Sequence, residues 1–234
     1  MEIRTLPLDH LGLVAGVFDQ LGIADLIDNR IPKLRNHNLE HSKIVKAMIL
    51  DGLGLCCQRL YIFPEFYTPV ERLLGDGVTA EDLNDDALGR TLDAIYAYGP
   101  TELFNVISLK VISQLDLGVQ RLHADTTSFS VQGNYGGPRG RNAIEITLGH
   151  SKDRRMDLKQ FVLGLVTNQD CIPLFAKAHS GNATDKNTIM ESFLKVKNSL
   201  DQIKRKYESK RICSKSQSGK RGERFRLYRG ESEI

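Results

Sequence analysis

The sequence predicts an α+β protein, in which an all-helical N-terminal domain precedes a partial α/β domain of three antiparallel strands and a helix. Apolar residues recur at helical spacing over the first part of the chain, strand-like stretches replace them after Gly118, and apolar periodicity is lost from Glu208 onward. We therefore predict a helical domain over 1–116, an α/β domain over 117–207, and a basic tail over 208–234 that is disordered or out of frame.

Length and composition exclude several classes of protein. The chain has 234 residues, of which 41% are hydrophobic and 26% charged, which is typical of a soluble globular protein with a real core. No apolar run reaches the ~18 residues that a membrane span needs, and the first residues lack the layout of a signal peptide. We therefore expect a cytoplasmic protein with no membrane partner. The 4 cysteines lack a zinc-binding spacing, and we expect reduced thiols.

The net charge of +3 conceals an uneven distribution. Residues 201–234 carry 11 Lys or Arg against 5 Asp or Glu, about +6, which leaves residues 1–200 with 21 against 24, about −3. Because Lys and Arg release counterions from the phosphate backbone, the tail is able to bind nucleic acid without sequence preference.

Two amphipathic helices are predicted in the first sixty residues. Leu11, Val14, Phe18 and Leu21 recur at helical spacing, and so do Ile44, Met48 and Leu55 with Ala47 between them. The linker that separates the two helices contains Pro32.

A third and a fourth helix follow a turn at 75–77. The third begins near Asn84 or Asp85, either of which can cap exposed backbone N–H groups, and it ends at Gly99. The fourth extends over about 101–115. The side chains that the third helix is expected to bury are Leu88, Leu92 and Ile95.

The second half of the chain contains apolar or β-branched stretches separated by turn residues, at 119–131, 143–148, 160–167 and 171–178. The last two flank Asn168-Gln169-Asp170 and predict a hairpin. The order is strand, strand, strand, helix. The closing helix, at 186–200, is capped by Asp185 and carries an apolar stripe formed by Ile189, Phe193, Val196 and Leu200.

Asp125 is the most informative polar residue of the predicted strands. Side chains alternate between the two faces of a strand, so His123, Asp125 and Thr127 share one face and Ala124 and Thr126 share the other. Aspartate has low strand propensity and is costly to bury without a partner. The residues alone leave two alternatives: a catalytic or metal-binding carboxylate, or a structural one that is hydrogen-bonded to the following turn.

A second polar segment precedes the third stretch. Lys152, Arg154, Arg155 and Lys159 place four basic groups within eight residues, which could neutralise DNA phosphates. The alternative is a solvated loop without a ligand.

Several blocks, in this order, resemble the transposases of bacterial insertion sequences, of the DDE class and the IS-four superfamily. The similarity spans about residues 6–207. The helical leader also resembles, notably over 85–93, the domain of unknown function that precedes the catalytic core in one branch of these transposases. The blocks of the core are Leu122-His123-Ala124-Asp125-Thr126-Thr127-Ser128, Gly133 with Tyr135, Gly149-His150-Ser151-Lys152-Asp153, Asp157-Leu158 with Gln160, Ile172-Pro173-Leu174, and Gly181-Asn182 with Thr184-Asp185.

The resemblance implies a ribonuclease-H-like core in which three carboxylates hold two Mg²⁺ ions for DNA cleavage and strand transfer. Asp125 matches the first of these carboxylates and is thereby implied to be a catalytic metal ligand. The second is expected on a strand after the closing helix, and the third on a later helix in a motif of Tyr, Arg, Glu and Lys. Neither is found in this sequence. The implied partners are transposon ends and either a second copy of the chain or a full-length transposase.

Three functional hypotheses follow. The first is a truncated transposase whose reading frame is lost near residue 208 and which is inactive because its catalytic triad is incomplete. The second is a non-catalytic DNA-binding or regulatory transposase fragment. The third, a small metal-dependent nuclease complete in itself, requires Asp153, Asp157 or Asp185 to meet Asp125. A core without its next strands is also expected to expose a sheet edge and an apolar face.

Overall fold

The computed structural model describes residues 10–34, 37–55, 62–68, 71–136, 143–149, 155, 157–184, 188–199 and 201. The described residues up to Ser192 form one compact unit, and those from Phe193 onward form a second. The predicted α+β class is confirmed: a helix-rich N-terminal region precedes a three-stranded antiparallel sheet and a helix. The predicted tail over 208–234 lies outside the described residues, and the domain boundary near residue 117 stays a prediction.

Three helices, rather than the two predicted, occupy the start of the chain. They are α1 (Leu11–Gln20), α2 (Ile23–Arg30) and α3 (His41–Leu50), and Asp51–Leu55 extends α3 as a π-helical turn. Gly22, with a φ of 59°, separates α1 from α2 by a left-handed residue. Since glycine adopts this conformation without steric cost, the chain turns there instead of continuing one helix.

Of the next helices, the two longer ones follow the predicted local signals, whereas the short one was not predicted. A short helix, α4 (Phe63–Tyr67), is followed by two 3₁₀ turns and then by α5 (Asp85–Tyr98) and α6 (Pro100–Gln114). The side-chain oxygen of Asn84 accepts a hydrogen bond of 2.9 Å from the backbone N–H of Ala87, which confirms the predicted cap.

The predicted buried face of α5 is wrong at one position. Leu88 is 1% exposed as expected, but Leu92 is 50% exposed. Thr91 is buried instead, and its hydroxyl lies 3.0 Å from Nδ1 of the buried His41 on α3. Leu88 and Thr91, three residues apart, therefore lie on the buried side of α5, and Leu92 lies outside it. The contact of Thr91 with His41 is polar, where the sequence predicted an apolar one.

The helical region has a core in two clusters. The larger joins α1, α3, α4 and the turns before α5, and includes Tyr67 and Leu83, both at 0% exposure. The hydroxyl of Tyr67 donates a hydrogen bond of 2.5 Å to the carbonyl of Ala47. The second cluster contains Phe18, Ile27, Ile31 and Leu103. Among the described helices, none is both long and apolar enough to cross a membrane.

The sheet contains β1 (Leu122–Val131), β2 (Lys159–Asn168) and β3 (Pro173–Ser180), antiparallel and in the order β1-β2-β3. The predicted hairpin is confirmed as β2 and β3. The stretch at 143–148 forms no strand, and its pairing is limited to an isolated bridge between Thr147 and Gln160.

One face of the sheet is buried and the other is largely open. The buried face includes Thr126 and Val166, while helix α6 packs against β3. A closing helix, α7 (residues 188–199), begins beside the sheet, where a Cβ at Gly164 would lie 3.1 Å from Cγ2 of Thr188. The predicted cap of this helix, Asp185, lies outside the described residues.

Candidate functional site

His123, Asp125 and Thr127 share one exposed face of β1, as the alternation of the strand predicts. Thr126, between them, is 2% exposed and belongs to the buried face. Asp125 therefore presents its carboxylate on the open side of the sheet, where a large charged ligand could reach it.

The carboxylate of Asp125 already accepts one backbone hydrogen bond. Its Oδ1 lies 2.8 Å from the backbone N–H of Thr126. The sequence left open a structural role for Asp125, in which its carboxylate is hydrogen-bonded to the following turn. This contact corresponds to that role in part, but the donor is the next residue of the strand rather than a turn. A backbone donor at this distance fixes the orientation of the carboxylate.

The described residues do not fit a two-ion magnesium site. Carboxylate oxygen is the ligand that Mg²⁺ prefers, and Asp125 supplies it. However, in the part of the chain that the structure describes, no group of three or more His, Cys, Asp or Glu side chains converges as a metal site. Two ions need several shared carboxylates, so Asp125 by itself does not provide the geometry.

The register of the sheet separates Asp125 from Asp157. Asp125 pairs with Leu165, whereas Lys159, the first residue of β2, pairs with Val131 six positions further along β1. At ~3.3 Å per residue, Asp125 lies about 20 Å from the end of the sheet that Asp157 precedes. Asp157 therefore does not complete the metal site. The two other candidates, Asp153 and Asp185, lie outside the described residues.

The predicted DNA-binding segment is described only in part. Lys152 and Arg154 lie outside the described residues. Arg155 forms a two-pronged ion pair with Asp157, with Nε to Oδ1 at 2.8 Å and a terminal nitrogen to Oδ2 at 2.7 Å. The hydrogen bonds from Arg155 lower the pKa of Asp157 to about 2 and raise the pKa of Arg155 itself. Arg155 is therefore locally neutralised, while Lys159 lies on the open face of β2.

Two aromatic side chains that the sequence analysis did not single out lie on the same open face. Phe129 and Phe161 are direct cross-strand partners, and their rings stack with centroids 5.1 Å apart and planes at 12°. Phe129 is 43% exposed. The period-2 alternation places Phe129 on the face of Asp125, but only the pairing register reveals its contact with Phe161.

Three residues from separate blocks of the resemblance meet at one tight crossing. The side-chain nitrogen of the buried Gln160 donates to the carbonyl of Gly181 at 2.8 Å. A Cβ on Gly149 would lie 1.9 Å from that same carbonyl oxygen, and a Cβ on Gly181 would lie 2.1 Å from the carbonyl oxygen of Gln160. The two glycines are therefore required for close backbone packing at this crossing, which involves the buried face of β2.

The helical region holds a cavity of about 230 Å³ lined by Phe18, Asp19, Ala24, Asp28, Ser42, Lys43, Lys46 and Leu74. Lys46 is 5% exposed and its ammonium lies 2.8 Å from both carboxylate oxygens of Asp19. Asp28 accepts hydrogen bonds from both the backbone N–H and the hydroxyl of Ser42, at 3.0 and 2.6 Å. These polar contacts connect α1 and α2 to α3. They give the charged side chains partners within the protein, so no bound ligand is needed to explain why these charges lie at the cavity.

The comparison with protein families concerns the N-terminal part of the chain. Residues 2–109 match the family model described as domain of unknown function DUF4277. The matched range covers the helical region, for which the sequence shows a resemblance to a domain of unknown function. No curated protein matches the chain, and no solved structure does.

Proposed function

We propose that this chain is a transposase-type DNA-processing protein of the DDE class, with a ribonuclease-H-like core in which Asp125 is one metal-binding carboxylate. The observation that carries the proposal is the placement of Asp125 within its motif, on the open face of β1. The match of residues 2–109 to a domain of unknown function supports it, because the similarity of the sequence to transposases includes such a domain before the core.

In the intact family, Mg²⁺-dependent DNA cleavage and strand transfer require three carboxylates. The sequence contains Asp125 but no residue that matches the second or the third carboxylate. A single carboxylate does not hold two ions in working geometry. We therefore propose that this chain binds transposon ends without cutting them.

The proposal is tested with labelled DNA that carries the terminal inverted repeat of the element and with a shuffled duplex as control. We expect the purified chain to bind the repeat more tightly than the shuffled duplex and to leave both uncut in Mg²⁺. Equal, weak binding to both duplexes would reject specific recognition of the ends. Nicking that is lost in Asp125→Ala but kept in Asp157→Asn would show that the metal site is complete.

Lys159 is the described basic residue best placed to contact a phosphate. Removing one phosphate contact lowers the slope of log affinity against log salt concentration by about 0.9. We expect this change for Lys159→Ala, measured by fluorescence anisotropy across a salt series. Lys33→Ala is the matched control, because Lys33 pairs with Glu40 at 3.2 Å in the acidic helical region. An unchanged slope for Lys159→Ala would remove this residue from the DNA-binding surface.

The second candidate function is a non-catalytic regulator that binds DNA or a full-length transposase. The observation that favours it is that Asp125 has no converging set of ligand groups within the described ranges. A regulator is expected to lower strand transfer by an active transposase when the two are mixed, and to retain that effect in Asp125→Ala. Loss of the inhibitory effect in Asp125→Ala, with DNA binding unchanged, would reject a role that is independent of the carboxylate.

A further inference from the structure

The open face of the sheet carries an aromatic platform, formed by Phe129 and Phe161, whose function the carboxylate does not explain. The two rings lie on neighbouring strands at the same level of the sheet and are nearly parallel, with an angle of 12° between them. Stacked rings on a water-facing sheet leave apolar surface in solvent, and Phe129 remains 43% exposed. Such a surface is costly unless a ligand covers it.

We propose that the aromatic platform stacks an unpaired base of a DNA strand and so positions that strand across the open face of the sheet. This inference rests on the proposed DNA-processing function and names how that function engages its substrate. Base stacking on aromatic side chains is a general way for proteins to bind single strands, since every base has a π face. Sheets that present aromatic residues bind unstacked bases in this way.

The stretch of sequence that contains the platform is basic, which favours a nucleic acid over an apolar protein partner. Residues 117–200 carry 11 Lys or Arg and 7 Asp or Glu, about +4, whereas residues 1–116 carry 10 against 17, about −7. Lys159 lies on the same face as Phe161, two residues along β2. A cation beside a stacking surface matches the phosphate and the base of one nucleotide.

The position of the platform relates it to the carboxylate. Phe129 is four residues from Asp125 on the same face of β1, a distance of about 13 Å. A stacked DNA strand rises ~3.4 Å per nucleotide, so about four nucleotides span this distance. A strand whose base stacks on Phe129 and which follows β1 therefore brings a phosphate close to Asp125.

The absence of tryptophan from the sequence permits a direct test. Phe129→Trp, in the full chain, places a single tryptophan in the platform, and base stacking quenches indole emission. We expect emission to fall by about half on saturation with a single-stranded oligonucleotide from the transposon end, and to change little with the fully paired duplex. Tyr96→Trp is the matched control, because Tyr96 is 54% exposed on α5 in the acidic region. Its emission should not change with either DNA.

A second variant measures the energetic contribution of stacking. Phe129→Leu keeps an apolar side chain but removes the π surface, and we expect its affinity for the single strand to fall about tenfold. Affinity for the duplex should remain within a factor of about two. Circular dichroism and thermal melting of each variant establish that the fold is retained, and Phe161→Leu provides an independent substitution on the neighbouring strand.

The possible outcomes separate this inference from the proposed function. If the chain binds DNA but Phe129→Trp is not quenched, or is quenched no more than Tyr96→Trp, the platform does not stack bases while the proposed function stands. If the tryptophan emission shifts to the blue with increasing protein concentration and without DNA, a second copy covers the face and the inference is wrong. If the chain binds neither single strands nor duplexes, both proposals fail.

Discussion

The helical region and the sheet region differ in how completely they bury their apolar side chains and in the charge that they carry. The helical region encloses Tyr67 and Leu83 at 0% exposure and pairs the buried Lys46 with Asp19. The sheet buries one face and leaves Phe129 and Asp125 on the other. Residues 1–116 carry about −7 and residues 117–200 about +4, so of these two regions the second has the charge that attracts DNA. The first region encloses its apolar side chains more completely, and the proposed contact with DNA lies on the second.

The largest expected effect concerns the tight crossing of Gly149 and Gly181 at the end of β2. In Gly149→Ala, the new Cβ would lie 1.9 Å from the carbonyl oxygen of Gly181, and this contact is with backbone that cannot rotate away. We expect a loss of about 3 kcal/mol in the free energy of unfolding, measured by denaturant titration. Gly89→Ala on α5 is the control, because no atom beyond its chain neighbours and the nearby backbone of its own helix lies within 4 Å of the added Cβ. This variant should be neutral or more stable by up to ~1 kcal/mol. A loss of stability in the control comparable to that of Gly149→Ala would contradict the packing argument.

A pair of truncations compares the two regions directly. Leu83→Ala removes a fully buried side chain from the larger core cluster and is expected to cost about 3 kcal/mol. Phe129→Ala removes a larger side chain, but from the open face, and is expected to cost about 1 kcal/mol. Both values come from the same urea titration. If Phe129→Ala costs as much as Leu83→Ala, the sheet face is covered in solution.

A smaller effect is expected from pH in the helical region. Burial is the main factor that lowers the pKa of His41 from 6.5, and the nearby His37 adds to it, while Asp28 and Glu40 act in the opposite direction. The unfolded chain therefore takes up the proton at higher pH than the folded chain does. The contribution of neutral His41 to stability is complete above pH 6.5 and is lost as the pH falls through the folded-state pKa.

This expectation is measured as the free energy of unfolding between pH 7.5 and pH 5, at about half-unit steps. His41→Gln should flatten the curve below pH 6.5, because glutamine does not titrate. Identical slopes for His41→Gln and the unchanged chain would assign the acid sensitivity to other groups.

Local signals in the sequence predicted the elements that local chemistry determines. The start of α5 follows from the side chain of Asn84, and its end from the left-handed φ of Gly99. The start of α6 follows from the ring of Pro100. Each of these acts on backbone groups within one turn. The shared face of His123, Asp125 and Thr127 follows equally from strand alternation.

The predictions of individual elements and of burial were wrong where the surrounding structure, rather than the local apolar pattern, determines the conformation. The sequence predicted two helices in the first sixty residues and no helix at α2, which Gly22 separates from α1. It also predicted a buried Leu92 where Thr91 contacts His41 from another helix. The predicted strand at 143–148 is reduced to a bridge at Thr147. In each case a tertiary contact or a single φ angle overrides a weak apolar pattern.

By itself, the sequence determined the α+β class, the succession of a helical region, strands and a closing helix, the face on which Asp125 lies, and the resemblance on which the proposed function depends. The tertiary structure decided what Asp125 lies near. The antiparallel register separates it from Asp157, pairs Phe129 with Phe161, and brings Gly149 against Gly181. Alternation fixes a face because it depends on backbone geometry alone, whereas register depends on which hydrogen bonds form between segments far apart in the chain.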